Sequence, residues 1–85
     1  MRPRRTDANH RQIKRALEQC GWLVVDTHDV PNWVDLTVYH PGRGVLRLVE
    51  VKTEKGKLRP SQERLIRDRW PVNVLRSVED AVRLE

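Results

Sequence analysis

The sequence predicts one small α/β domain, a mixed sheet flanked by helices in the order αβββαβα. Apolar residues at helical spacing near the N-terminus, two β-rich runs around a Pro-Gly turn, and a closing strand and helix predict this order. With 85 residues the chain is long enough for one domain.

The N-terminal part is predicted as a flexible basic arm over residues 1–6, followed by a single domain over residues 7–85. The first helix is expected to begin at Thr6 or Asp7, because both residue types are good N-caps. Gly21 is expected to end it. The apolar stripe of this helix is Ile13, Ala16, Leu17 and Cys20.

Three strands are predicted next, and the last two form a hairpin. They cover Trp22–Val25, Trp33–Tyr39 and Val45–Val51, with a turn over residues 41–44. A second helix runs from Pro60 to about Arg69, with Leu65 and Ile66 facing inward. A fourth strand, Val72–Leu75, and a last helix capped by Ser77 follow, with Val78, Ala81 and Val82 on its core side.

The hairpin turn also predicts a register. If the turn is centred between Gly42 and Arg43, Asp35 lies opposite Glu50 and Thr37 lies opposite Leu48. Because side chains alternate along a strand, Asp35, Glu50 and Lys52 then share one face. The other face is expected to hold Val34, Leu36, Val49 and Val51.

Two carboxylates placed directly opposite each other repel unless something compensates their charge. A divalent cation such as Mg²⁺ would do so, because it takes oxygen ligands and commonly uses one or two carboxylates. Lys52 would reach the same site and act on an attacking water molecule. The alternative is an ordinary solvated strand pair in which Lys52 bridges the two acids.

The charge balance favours a polyanionic partner such as DNA, because 17 Lys and Arg against 12 Asp and Glu give a net charge of +5. The candidate DNA-binding residues are Arg2, Arg4, Arg5, Lys55, Lys57, Arg59, Arg64 and Arg67.

A single cysteine indicates a reduced, cytoplasmic protein. No membrane span, zinc-ligand spacing or nucleotide-binding glycine loop is recognisable.

The stretches Trp33–Leu36 and Leu48–Lys52 together resemble the Asp…Glu-X-Lys core of the PD-(D/E)XK nuclease superfamily. From about Asp7 to Val82 the chain is similar to the VRR-NUC branch, whose stand-alone members are short and often phage-encoded. Further similar segments are Asp7–Asn9, Leu58–Gln62 and Val72–Val82.

This resemblance implies a restriction-endonuclease-like fold and a DNA endonuclease dependent on Mg²⁺ or Mn²⁺. Asp35, Glu50 and the carbonyl of Val51 would hold the metal, and Lys52 would position the water. The resemblance also implies a homodimer acting on branched DNA such as a Holliday junction, in the host cytoplasm if the chain is phage-encoded. Nicks, flaps and nonspecific duplex stay open as substrates.

Two positions depart from the family pattern. Val34 replaces the usual proline before the metal-binding aspartate. Many relatives carry a glutamate on the first helix that points at the metal, and His10 lies nearest to that position here, with Asp7 one turn away. Asp7 and His10 are therefore candidate accessory residues, although the pattern favours a solvated helix histidine at His10. Gln62 is a third candidate, which either faces the substrate phosphate or is simply exposed. His28 and Asp29 either border the site or belong to an ordinary surface loop.

Two other functions compete with nuclease activity. One is a non-catalytic basic module that only binds nucleic acid, and the other is a subunit of a larger DNA-processing complex. Opposed acids are not needed for binding alone, so the set Asp35, Glu50 and Lys52 favours catalysis.

Overall fold

The computed structural model describes residues 5–85, and the side chains from residue 8 onward. It confirms the predicted order of elements and the α/β class. These elements are α1 (Arg5–Gln19), β1 (Leu23–Asp26), β2 (Leu36–His40), β3 (Val45–Val51), α2 (Pro60–Arg67), β4 (Val72–Leu75) and α3 (Val78–Val82).

The first helix begins slightly earlier than expected. Because α1 starts at Arg5, residues 5 and 6 belong to the helix instead of the predicted basic arm, whose other residues lie outside the described part. The helix ends at Gln19, and Gly21 follows with a φ of +96°, which explains why a glycine stands there. A Cβ at Gly21 would also lie 2.9 Å from Nε2 of His40.

The four strands form one sheet in the order β1-β2-β3-β4. The first two pairings are antiparallel and β3 pairs with β4 in parallel. A parallel neighbour needs a crossover connection, and the segment containing α2 provides it.

The hairpin register is the predicted one, since Thr37 pairs with Leu48 and Leu36 with Val49. The strand β2 begins at Leu36, however, and not at Trp33. The chain before it turns, because the N–H of Trp33 donates to the carbonyl of Val30 and the hydroxyl of Thr27 donates to the carbonyl of Val34.

Apolar side chains pack on both faces of the sheet. On the face covered by α1 and α3, the core includes Ile13, Leu17, Leu36, Val38, Val49, Val51, Leu75 and Ala81. On the face covered by α2, a smaller cluster contains Val34, Leu48 and Leu65, with Trp33 and Val72 against it. The expectation that Val34 shares a face with Leu36 was wrong, because strand alternation does not extend before Leu36.

Three residues expected to face inward are largely exposed, namely Ile66, Val78 and Val82. The helices α2 and α3 contain only eight and five residues. Each buries one narrow stripe, represented by Leu65 in α2 and Ala81 in α3. The predicted cap of α3 is confirmed, since the hydroxyl of Ser77 accepts from the N–H of Asp80 at 3.1 Å.

Among the helices described, none combines the length and the apolar character that crossing a membrane requires.

Candidate active site

Asp35 and Glu50 lie side by side at the open end of the hairpin, away from its turn. The backbone N–H of Asp35 donates to Oε1 of Glu50 at 3.2 Å. In the other direction, the backbone N–H of Val51 donates to Oδ2 of Asp35 at 2.9 Å. Each acid is therefore oriented by the backbone of the segment opposite it, and the expected proximity of the two is present in the fold.

Glu50 is completely shielded from solvent, with 0% of its surface exposed. Its Oε2 accepts a hydrogen bond from Nε2 of Gln62, on the first turn of α2. The amide oxygen of Gln62 in turn accepts from the N–H of Arg59 at 2.9 Å. Gln62 is 4% exposed, which rules out the exposed position that the sequence left open, and its contact is with the carboxylate of Glu50.

The environment of Glu50 opposes its ionisation. Burial raises its pKa most, the negative charge of Asp35 raises it further, and a hydrogen bond with Asp35 adds to both effects. The positive charge of Lys52 acts in the opposite direction, and the net result is a pKa of about 7. A shielded carboxyl pair of this kind is stabilised by a proton or by a cation.

The donor set fits a divalent metal ion. Asp35 and Glu50 supply carboxylate oxygens, the donors that Mg²⁺ and Mn²⁺ prefer. Val51 follows Glu50 in β3 and lines the same cleft as Asp35, and its carbonyl is the third expected ligand. Glu50 is a buried acid with a raised pKa next to a second acid, and a bound cation would compensate the negative charge of this pair.

Lys52 is half-buried and lines a cleft of about 630 Å³ together with Asp35. Its backbone is held from two sides. The N–H of Lys52 donates to the carbonyl of Leu75, and its carbonyl accepts from Nδ2 of Asn9 at 2.8 Å. Asn9 thus joins α1 to the end of β3, a role that its sequence context did not reveal.

The loop after Lys52 is fixed by Arg76. Its Nη1 donates to the carbonyls of Thr53 at 2.8 Å and Gly56 at 2.6 Å. This loop and the start of α2 form one wall of the cleft, where Lys57 and Arg59 lie. The wall thus brings exposed positive charge close to the paired acids.

The remaining candidate DNA-binding residues are distributed more widely. Lys55, Arg64 and Arg67 are exposed, and the last two lie on α2. Arg2 and Arg4 lie outside the described residues, and Arg5 is placed only by its backbone in α1. Arg11, which was not among the candidates, lines the cleft.

Of the two accessory candidates on α1, Asp7 and His10, the structure describes the side chain of His10 only. The side chain of Asp7 lies outside the described side chains. His10 does line the cleft, but its Nε2 lies 3.1 Å from Oδ2 of Asp26, the last residue of β1. His28 contacts the same carboxylate and lines the cleft, which is one of the two interpretations that the sequence left open. Asp26 was missed, because no motif connects a strand-end aspartate with a helix residue 16 positions earlier.

The search of solved structures found a "VRR_NUC domain" with 30% sequence identity and a TM-score of 0.68. The match covers 89% of this chain and 88% of the other, so the likeness extends over almost the whole of both. Family models and curated proteins gave no match.

Proposed function

The chain belongs to the VRR_NUC family, and we propose on this premise that it is a metal-dependent endonuclease that hydrolyses DNA phosphodiester bonds. Its nuclease fold and its cation-rich surface support DNA as the substrate class.

The observation that supports catalysis most strongly is the burial of Glu50 against Asp35. A charged carboxylate is rarely shielded from solvent without a compensating charge, and here Asp35 adds negative charge that Lys52 offsets only in part. A protein that only bound DNA would gain nothing from this arrangement, since it adds negative charge beside the phosphates. The pair is therefore better explained as part of a site that would hold a divalent metal ion.

In this proposal Asp35, Glu50 and the carbonyl of Val51 would hold Mg²⁺ or Mn²⁺, which would supply polarisation of the phosphate and a lowered pKa of the attacking water. Lys52 orients that water and offsets negative charge at the mouth of the site. Gln62 acts through Glu50, because its amide fixes the orientation of the carboxylate.

We further propose that branched DNA is the preferred substrate and that the active form is a homodimer. A two-fold dimer offers two equivalent sites, as paired cuts across a branched substrate require. Support comes from an uncovered part of the sheet: on the face that α2 covers, the neighbouring side chains Leu23, Val25, Tyr39 and Leu46 are all 41–60% exposed.

The test is cleavage of four-way junctions, flaps and linear duplexes with Mg²⁺, Mn²⁺ or chelator, using wild type and Asp35→Asn. We expect metal-dependent cleavage, fastest on junctions, and none by Asp35→Asn although it still binds DNA. Binding without cleavage by wild type under every metal condition would instead indicate a non-catalytic module or a subunit of a larger complex.

A further inference from the structure

A second group of metal-ligating side chains lies on the wall of the same cleft. It joins α1 to the end of β1 through His10, Asp26 and His28. Nε2 of His10 lies 3.1 Å from Oδ2 of Asp26, and Nδ1 of His28 lies 2.5 Å from Oδ1. One ligand atom from each residue can be chosen so that all three lie within 4.8 Å of one another.

We propose that His10, Asp26 and His28 form a binding site for a divalent transition-metal ion such as Zn²⁺ or Co²⁺. The donor set is two imidazole nitrogens and one carboxylate, which suits these ions and does not suit Mg²⁺. It differs in this respect from the all-oxygen pair Asp35 and Glu50. The proposal does not depend on nuclease activity.

Two of the donor separations are close to those of such a site. With metal–ligand bonds of about 2.1 Å, two ligands are about 3.0 Å apart at a right angle and about 3.4 Å apart at a tetrahedral angle. The separation of His10 from Asp26 already lies in this range. His28 has to move away from Asp26 by about half an ångström to reach it, and its exposed position leaves room for that.

The carboxylate of Asp29 contacts the second ring nitrogen of His28. Its Nε2 lies 3.1 Å from Oδ1 of Asp29, on the side of the ring opposite to Asp26. Metal-bound histidines commonly donate their other ring N–H to a carboxylate, which fixes the tautomer and the ring orientation. His28 therefore has both a ligand position facing Asp26 and an orienting partner on Asp29.

The group is also accessible. The side chains of His28 and Asp26 are 54% and 32% exposed, and His10 is 20% exposed, so an ion can reach all three from the cleft. A cation here would add positive charge to the wall that carries Arg11. Without a metal, the same residues form a hydrogen-bonded cluster, and the experiment has to distinguish these states.

The experiment titrates Co²⁺ into the chelator-treated full chain, follows the visible absorption of the bound ion, and then adds Zn²⁺ or Mg²⁺ as a competitor. Wild type is expected to bind one Co²⁺ at this site, to release it to Zn²⁺ and to retain it in a large excess of Mg²⁺. His10→Gln and His28→Gln should each lower the Co²⁺ affinity more than about tenfold, and Asp29→Asn by about tenfold through lost orientation.

Two variants serve as controls. Glu18→Gln removes an exposed acid from the same helix as His10, and Asp35→Asn removes a proposed Mg²⁺ ligand; both should keep the Co²⁺ absorption of wild type. His28 lies in an exposed loop, so its variant should remain folded, which circular dichroism checks. Absence of Co²⁺ absorption in wild type, unchanged affinity in both histidine variants, or equal loss in Asp35→Asn would each overturn the proposal.

Discussion

The N–H of Asp35 donates to Oε1 of Glu50 at 3.2 Å, although the proximity of the two acidic side chains is itself unfavourable. The fold enforces this proximity through the hairpin register and through Gln62, which holds the other oxygen of Glu50. Stability and function are thereby coupled at Glu50. Metal binding needs the ionised carboxylate of Glu50, and ionisation of this carboxyl destabilises the metal-free fold.

The metal-free protein should lose stability as pH rises from about 5 to about 8. The pKa of Glu50 is 4.5 in the unfolded chain and about 7 in the fold, so the folded state binds more protons between these values. The stabilisation is complete below the unfolded pKa and is lost as pH rises through the folded one, at no more than about 1.4 kcal/mol per pH unit. Denaturant titrations in the presence of chelator measure it, and Glu50→Gln should flatten the dependence.

The contribution of His28 to the pH dependence of stability has to be separated from that of Glu50. A hydrogen bond to Asp26 raises its pKa, with partial burial opposing the change, so its contribution also declines as pH rises. Asp26 contributes at lower pH, because burial raises its pKa but the hydrogen bonds with His28 and His10 together lower it by more. Glu50→Gln is therefore compared with wild type and again in a His28→Gln background. An identical pH slope with and without Glu50→Gln in both backgrounds would contradict the assignment.

Lys52→Met should separate the rate of cleavage from metal binding. The side chain borders the cleft but supplies no metal ligand in the proposed site, so cleavage should fall by about 10²–10⁴-fold, as for loss of a group that assists proton transfer. Calorimetry with Mn²⁺ should give an affinity close to that of wild type. Loss of Mn²⁺ binding equal to that in Asp35→Asn would show that Lys52 supports the metal site and not the water.

The sequence predicted the two strands that carry the acids well enough to pair Thr37 with Leu48, because the Pro-Gly turn and strand alternation are local patterns. It did not predict the bend before Leu36, which depends on hydrogen bonds from the side chain of Thr27. That bend moves Val34 to the α2 face and aligns the backbone of Asp35 with Glu50.

Contacts between distant segments were the least predictable part of the site. For Gln62 the sequence left open a contact with the substrate phosphate or an exposed position, whereas the crossover after β3 places it over Glu50. The cluster of His10, Asp26 and His28 combines a helix, a strand end and a loop, and no spacing in the chain connects them. Composition predicted cationic character, but only the fold indicates which basic residues line the cleft.

DNA affinity should fall steeply with salt, with a slope in log K against log salt of about −0.9 for each phosphate neutralised on duplex DNA. Lys57→Glu with Arg59→Glu should reduce the slope, because both residues line the cleft. Arg64→Glu with Arg67→Glu tests whether the exposed face of α2 extends the footprint. Arg83→Glu is the control, since Arg83 follows α3 on the other side of the sheet. Effects that scale only with the number of charges reversed, with Arg83→Glu giving half the effect of each double variant, would indicate net charge alone instead of a defined surface.

The protein should be a homodimer at micromolar concentration, and the uncovered sheet face should be its interface. Leu46, 55% exposed, lies beside Tyr39 on β2, which in turn pairs with Leu23 on β1, so an apolar surface crosses three strands. Leu46→Glu places a charge within this surface and should shift sedimentation equilibrium from twice the chain mass towards 10.1 kDa. Val82→Glu changes an equally exposed apolar residue on α3 and should leave the dimer intact. A wild-type mass of 10.1 kDa would remove the two-fold argument for branched DNA and favour nicking by a single site.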